Sequence, residues 1–408
     1  MNWRRRDFLK SLSLAVPAAC AGAHTAWSAD SAPTVTTPGA PWASWFRVSP
    51  EVLEDWALIE VPGDPNRVQI RRHLRVAGAK LIVVLYPRPS SAYDIAISKI
   101  LNVFDEKGID AEFRVVNFGN DDTRGREALA LAHERQVDLI FSMGPESTAW
   151  PYKHYAGGSI PVVSVCSKDP VELGQVSDYE SGSGINFAFT SLNMPIEVQM
   201  AYIMELKPNL RNIGILVDGK NVSAMQTQAL PMGAYARKQG VQVMDLVLQN
   251  PAEAKAEMAK LVPAAVRNMR RYDQELQNSL FWITGSTAVF REIAVINAHS
   301  DRVPVISAVP EVVGPGDDSA VLSVGISFES NAHLAAVYGA DVLSGRARAG
   351  DLKVGIVTPP DIAINFRRAR AIGLAVPFTF FEAAGFIYDQ EGRAVRNNGK
   401  KTVPAPKA

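Results

Sequence analysis

The stretch Ile160-Pro161-Val162-Val163-Ser164-Val165-Cys166-Ser167-Lys168-Asp169-Pro170-Val171-Glu172-Leu173-Gly174 decides the fold. Pro161 opens a run of β-branched residues, Val162, Val163 and Val165, interrupted only by Ser164. So short and uniformly apolar a run is expected to form a strand buried on both faces of a parallel sheet. It stops at Ser167-Lys168-Asp169-Pro170, where Asp and Pro end a strand and start a helical turn. In open α/β sheets ligands bind outside the carboxyl ends of the strands, so this corner is a candidate binding edge.

The same plan extends in both directions. Upstream, LIVVLY (81–86), AEFRVVNF (111–118) and VDLIFS (137–142) read as strands. They are separated by helices over 91–108 and 123–135, and a helix over 146–156 precedes Val162. Strands alternating with helices of this length imply βαβ units and a parallel sheet. A Ser/Gly/Asp-rich break at 177–184 leads through GINFAFT (184–190) to a restart. The second half reads as helix 196–206, strand 212–217, helix 223–239, strand 241–247, helix 252–274, strand 279–284, helix 287–299 and strand 303–307. The fold class expected is α/β, with two Rossmann-like lobes and a cleft between them.

Several motifs together resemble the periplasmic substrate-binding proteins of ATP-binding-cassette (ABC) importers, in the tryptophan-type branch. One is the Pro-led strand ending in Asp169-Pro170-Val171 with Gly174 beyond. ELKPNLRNIGILVDGKN (205–221) is similar to the start of that family's second lobe. YGADVLSGRARAGDLKVGIVTPPDIAINFRRARAIGLAVP (338–377) is similar to its ending, including Leu343-Ser344-Gly345 and Ala371-Ile372-Gly373-Leu374 before Pro377. The resemblance covers roughly residues 80 to 385. It implies a type I periplasmic binding fold with three interlobe crossings, here expected near 190, 320 and 347. Residues 79–190 plus 321–346 would form lobe 1, residues 191–320 plus 347–385 lobe 2, and 386–408 a C-terminal tail.

The ends of the chain carry other information. Arg4-Arg5-Arg6-Asp7-Phe8-Leu9-Lys10, followed by a mildly apolar Ser11 to Ala23, fits a twin-arginine (Tat) signal peptide over 1–29. Pro17 spoils the lipobox before Cys20, which makes a lipid anchor the lesser alternative. The whole chain balances 42 basic against 42 acidic residues. Removal of 1–29 takes Arg4, Arg5, Arg6, Lys10 and Asp7, leaving a mature net charge of about −3 and no nucleic-acid footprint. Cys166 alone survives cleavage, so no intramolecular disulfide is available, and a single thiol at a strand end reads as a small buried hydrophobe. Residues 30–78 form an extension with Trp42, Trp45 and Trp56, three rings expected to pack against the body.

Candidate ligand residues come from the loops at the strand ends. In lobe 1, Ser90 or Ser91 is placed to cap a helix aimed at the cleft, Tyr93 offers an aromatic face, and Tyr86 a weaker second one. The family usually has a hydroxyl residue just before Pro145; Gly144 stands there, so its place passes to Ser142, Ser147 or the Gly144 N–H. Cys166 and Ser167 follow the fourth strand, and Asn186 lies where the family's crossing strand often has Asn. The Thr-Gly usual two residues later reads Ala188-Phe189 here. In lobe 2 the candidates are Asp218, Asn221, Ser286, Thr287 and Glu311. Each has a plain structural alternative as an ordinary cap or surface polar group. The six histidines (24, 73, 133, 154, 299, 333) show no ligand spacing, so neither a metal nor a cofactor is expected.

The resemblance implies an exported solute-binding protein in the periplasm with no turnover of its own. It would deliver a small polar ligand, such as an amino acid or other carboxylate with a flat body, to an ABC importer permease. No nucleic-acid partner and no permanent membrane span are expected. Two alternatives stay open, a Tat-exported periplasmic enzyme and a periplasmic sensory binding protein partnering a membrane receptor.

Overall fold

The computed structural model of the protein describes residues 39–74, 78–397 and 399–402. The twin-arginine motif, the cleavage site and Cys20 lie outside the described residues.

The first half of the chain builds one sheet. Its elements are α1 (Val52–Asp55), β1 (Trp56–Glu60), β2 (Arg67–Arg72), β3 (Lys80–Tyr86), α2 (Ser91–Glu106), β4 (Ala111–Asn117), α3 (Asp122–Glu134), β5 (Leu139–Met143), α4 (Gly144–Tyr155), β6 (Val162–Val165) and β7 (Phe187–Ala188). They assemble in the order β1-β2-β4-β3-β5-β6-β7. The pairs from β4 through β7 are parallel, with Ile140 opposite Val162 and Met143 opposite Val165. All four residues of β6 are buried. Val163 and Val165 face a core shared with α2, and Val162 faces a second core with Phe187, as a strand covered on both sides requires.

A short strand β8 (Thr190–Ser191) then carries the chain into the second lobe. That lobe contains α5 (Ile196–Leu206), β9 (Asn212–Asp218), α6 (Val222–Ala224), a π turn over Met225–Ala229, α7 (Leu230–Lys238), β10 (Gln242–Leu248), α8 (Ala254–Met269), β11 (Ser279–Ile283), α9 (Thr287–Phe290), α10 (Ile293–His299), β12 (Val305–Ser307) and β13 (Leu322–Gly325). From β13 the chain returns as α11 (Phe328–Leu343), which packs on α2 and β6 of the first lobe. It crosses again through β14 (Gly355–Ile356), which pairs parallel to β8 with Gly355 opposite Thr190. The second lobe closes with β15 (Asp361–Asn365), α12 (Phe366–Ile372), α13 (Phe378–Ala383), β16 (Phe386–Tyr388), β17 (Ala394–Asn397) and β18 (Lys400–Lys401). Its sheet runs β10-β9-β11-β12-β13-β15-β16-β17-β18.

Three segments differ from the sequence reading. Residues 322–325, expected in lobe 1, form β13 between β12 and β15 of the second sheet, so the crossing falls after Gly325 and only α11 returns. The apolar run of β13 is equally suited to either sheet, and pairing decides it. Residues 386–401, expected as a tail, add β16 to β18 to the second sheet. The third crossing falls at β14, because Gly184 N–H donates to Gly350 O and Val354 N–H to Tyr179 O, holding 350–354 on lobe 1.

The extension is part of the lobe 1 core. β1 and β2 join the sheet edge antiparallel to β4, with Ile70 opposite Phe113. Trp56 is 1% exposed, meets Phe113 edge-on at 5.6 Å and carries the Arg72 guanidinium 4.8 Å above its ring. Trp45 and Phe46 close around Tyr86 with centroids at 5.8 and 5.9 Å. Two backbone groups also clamp the segment to α2: Arg47 N–H donates to Asp94 Oδ1 (3.1 Å), and Ser49 N–H to Ser98 Oγ (2.9 Å). Trp56→Ala should therefore cost about 3–5 kcal/mol in urea unfolding, the usual loss for a buried aromatic side chain. A loss below about 0.5 kcal/mol, typical of surface substitutions, would show the extension to be an appendage instead.

Candidate functional site

The carboxyl ends of β3, β5 and β6 from one lobe face those of β9 and β11 from the other. The turn after β6 brings them together. Cys166 takes a left-handed backbone conformation (φ 52°), and its N–H donates to the Asn331 side chain of α11 at 2.7 Å. Asp169 Oδ1 accepts from Val171 N–H (2.9 Å) and Glu172 N–H (3.2 Å), while its Oδ2 accepts from the Tyr179 hydroxyl. Asp-Pro-Val therefore nucleates the turn itself, and Gly174 (φ 67°) ends it. Between these two fixed points Lys168 leaves the turn and crosses to the other lobe. A side-chain carbon at Gly285 would lie 2.3 Å from Lys168 Nζ, so the ammonium rests on the bare Gly285 backbone.

The opposing loop is held as firmly. Gly285 N–H donates to Gln228 Oε1 at 2.7 Å. Ser286 Oγ accepts from Asp218 N–H (3.3 Å) and shares a hydrogen bond with Thr284 Oγ1 (3.0 Å). Asn193, just past the first crossing, donates to Thr227 O (3.0 Å) and Thr227 Oγ1 (2.9 Å). On the lobe 1 side Arg88 pairs with Glu146 Oε1 at 3.4 Å, while Glu146 Oε2 is buried with no hydrogen-bond partner. Ser167 Oγ and Glu311 Oε2 are likewise buried and unpartnered. Buried polar atoms normally find partners, and these three, on segments around Cys166 and Lys168, have none within the protein.

Burial sets the protonation states here. Desolvation pushes the Lys168 ammonium down to about 8, with Glu146 and Cys166 pulling the other way. It pushes Glu311 up to about 8, against the hydrogen bond from Phe328 N–H (2.7 Å). The Cys166 thiol is raised by burial and then by Glu311, so it stays protonated near neutral pH.

The structure sorts the expected ligand residues. Ser167 precedes Lys168 in the turn, Asp218 N–H and Ser286 Oγ meet in the opposing loop (3.3 Å), Glu311 lies near Cys166, and Gly144 lies against Tyr93. Tyr93 packs onto Gly144: a side-chain carbon there would lie 2.0 Å from its hydroxyl oxygen, and Gly144 has φ 81°. The tyrosine hydroxyl thus occupies the space in which the family's usual side chain would stand, and only glycine fits on both counts. Tyr86 is fully buried among Trp45, Phe46 and Tyr93, and its hydroxyl donates to Tyr93 O (2.9 Å), so it is a core ring and no ligand face. Ser90 stands at the N-cap of α2 without a side-chain cap bond, and Ser91 is exposed in its first turn.

Other expected residues serve the framework. Ser142 bonds Thr148 Oγ1 (3.2 Å), and Ser147 donates to Leu85 O (2.9 Å), tying α4 to β3. Cys166 is a turn residue, as above. Asn186 is at the wrong edge: it donates to Ile160 O (2.9 Å) and accepts from Gly157 N–H (2.8 Å), beside the start of β6. Asn221 caps α6 through Ala224 N–H (3.1 Å), and Thr287 is exposed. Lys168, Glu146 and Gln228 were absent from the expected ligand set. A crevice of about 420 Å³ lined by Lys99, Glu329, His333 and Val357 lies on the flank of the α2–α11 pair and contains none of the expected residues.

Two lobes with three crossings and a cleft at the strand ends define a type I periplasmic binding fold, and solved structures agree. A conserved domain protein from Vibrio cholerae superposes with a TM-score of 0.59 at 19% identity, covering 75% of this chain and 98% of its own. The ABC domain from Streptococcus pneumonia in complex with L-Trp gives 0.57 at 19% identity, over 76% and 100%. A ligand-free, open substrate-binding protein with adhesive properties from Clostridium difficile gives 0.57 at 20% identity, over 76% and 99%. No curated protein matches the chain by sequence. The family model of the ABC transporter substrate binding protein matches residues 89–384, and the chain belongs to that family.

Glu311 provides a pH test of this geometry. Its folded pKa, about 8, exceeds the ordinary 4.5, so the folded state holds its proton more tightly than the unfolded one. Its contribution is fully present below 4.5 and is lost as pH rises through 8. Glu311→Gln should therefore gain stability over wild type as pH rises between these limits, by up to about 1.4 kcal/mol per pH unit. Urea unfolding at several pH values checks it, and a difference independent of pH contradicts the buried, proton-holding carboxyl.

Proposed function

We propose that this protein is an extracytoplasmic solute receptor that closes on a small polar ligand between its lobes and passes it to an ABC importer permease. Family membership supports the binding role and the permease partner. The observation that carries the reading is the interlobe junction, where Lys168 of one lobe touches Gly285 of the other among buried polar atoms that lack partners. The L-Trp held by the Streptococcus pneumonia domain makes amino acids and related carboxylates the first solutes to test. Among the described residues no helix is long and apolar enough to cross a membrane. The twin-arginine motif Arg5-Arg6-Asp7-Phe8-Leu9-Lys10 supports export to the periplasm by that route. The protonated Cys166 thiol argues against the enzyme alternative at this site.

A thermal-shift screen of the mature protein against amino acids, small carboxylates and sugars tests the reading. A true ligand at a hundred times its Kd should add about 2.7 kcal/mol of stability and be recovered unchanged. Chemical conversion of the solute during incubation would support the enzyme alternative instead.

A further inference from the structure

We propose that Lys168 is the anion anchor of the cleft and that the ligand bears a carboxylate which pairs with its Nζ across the two lobes. This rests on the reading of the chain as a solute receptor and specifies the solute's charge. Lys168 is 8% exposed, yet its ammonium takes part in none of the side-chain hydrogen bonds or ion pairs found among the described residues. A buried ammonium without a partner is costly, and proteins leave one only where something else completes it. The groups near it make no bond to it. Glu146, on α4, is near enough to raise its pKa but is ion-paired to Arg88 and not to Lys168. Cys166, on its own turn, keeps its proton. From the second lobe it rests on Gly285, which has no side chain, while Gln228 Oε1 accepts from Gly285 N–H.

The charge inventory narrows the partner. With Glu146 paired to Arg88 and Glu311 inclined to hold its proton at neutral pH, neither carboxyl forms an ion pair with the Lys168 ammonium. A single carboxylate matches it, whereas a phosphate dianion would bring one charge too many, and no free guanidinium fork stands ready for it. The same geometry links binding to closure. The Nζ stands on lobe 1 by its chain and on lobe 2 by its contact, so an anion placed there touches both.

The test uses the mature protein in calorimetry, with L-tryptophan, L-tyrosine, benzoate and succinate, the amide of each, and inorganic phosphate. At least one carboxylate should bind, and its amide should bind about tenfold more weakly or worse, the worth of one charge-assisted hydrogen bond. Lys168→Met should erase that preference, lowering carboxylate affinity about tenfold while moving the amide by less than about threefold. Carboxylate affinity should also fall as pH rises above about 8, because binding then requires proton uptake by Lys168. Without ligand, Lys168→Met should raise the unfolding midpoint, since an isosteric apolar side chain removes an unpaired buried charge.

A lower midpoint would reveal a structural partner and overturn the proposal. So would equal binding of acid and amide, a preference for phosphate, carboxylate affinity unchanged in Lys168→Met, or failure of every anion to bind. If uncharged solutes bind while anions do not, the protein remains a solute receptor and the anchor alone is wrong. If neither anions nor uncharged solutes bind, the receptor reading falls with it.

Discussion

The structure depends on the hydrogen bond from Cys166 N–H to the buried side chain of Asn331. Asn331 sits on α11, the helix that returns from the second lobe, and is fully buried. Its Oδ1 accepts from Cys166 at 2.7 Å and lies 3.2 Å from the Thr190 hydroxyl on the first crossing strand. That hydroxyl has one hydrogen and a nearer acceptor, Ser164 O at 2.7 Å, so Thr190 binds β6 and touches Asn331. One amide thus gathers the end of β6, a crossing strand and the returning helix. Because the bond fixes Cys166 in a left-handed conformation, it also turns the chain so that Lys168 faces the opposite lobe. The position of the cleft's charge follows from the packing of the hinge.

The N-terminal extension enters the same network from the other side. Trp45 and Phe46 enclose Tyr86, Tyr86 bonds the Tyr93 carbonyl, and the Tyr93 hydroxyl rests on Gly144. A contiguous line of packed rings therefore runs from the extension to the first turn of α4, where Glu146 begins the polar part of the site. The extension and the cleft share one core.

Much of this was legible in the chain. The apolar runs of β3, β5, β6, β9 and β11 declare buried strands, and Asp169-Pro170 marks where β6 must stop. The misreadings have physical causes. Residues 322–325 and 386–388 form short apolar strands whose pairing partners are set by distant segments, and no local pattern encodes which sheet accepts them. Asn186 has the right residue type, but it sits just before β7, the strand parallel to β6, at the end opposite the cleft. Gly144 read as a missing hydroxyl; what complements it is Tyr93, a contact between residues on different helices. Lys168 carried a signal that went unused, a lysine directly after a fully apolar strand and inside the turn that defines the cleft.

The central claim is that two lobes close around a ligand, with the turn after β6 as the contact. Spin labels at Glu127 on α3 and Lys255 on α8, both exposed and on opposite lobes, measure it most directly by pulsed electron resonance. With a solute that stabilises the protein, the account predicts a single sharp distance, replacing a longer or broader distribution in its absence. A distribution that the bound solute leaves unchanged would contradict closure.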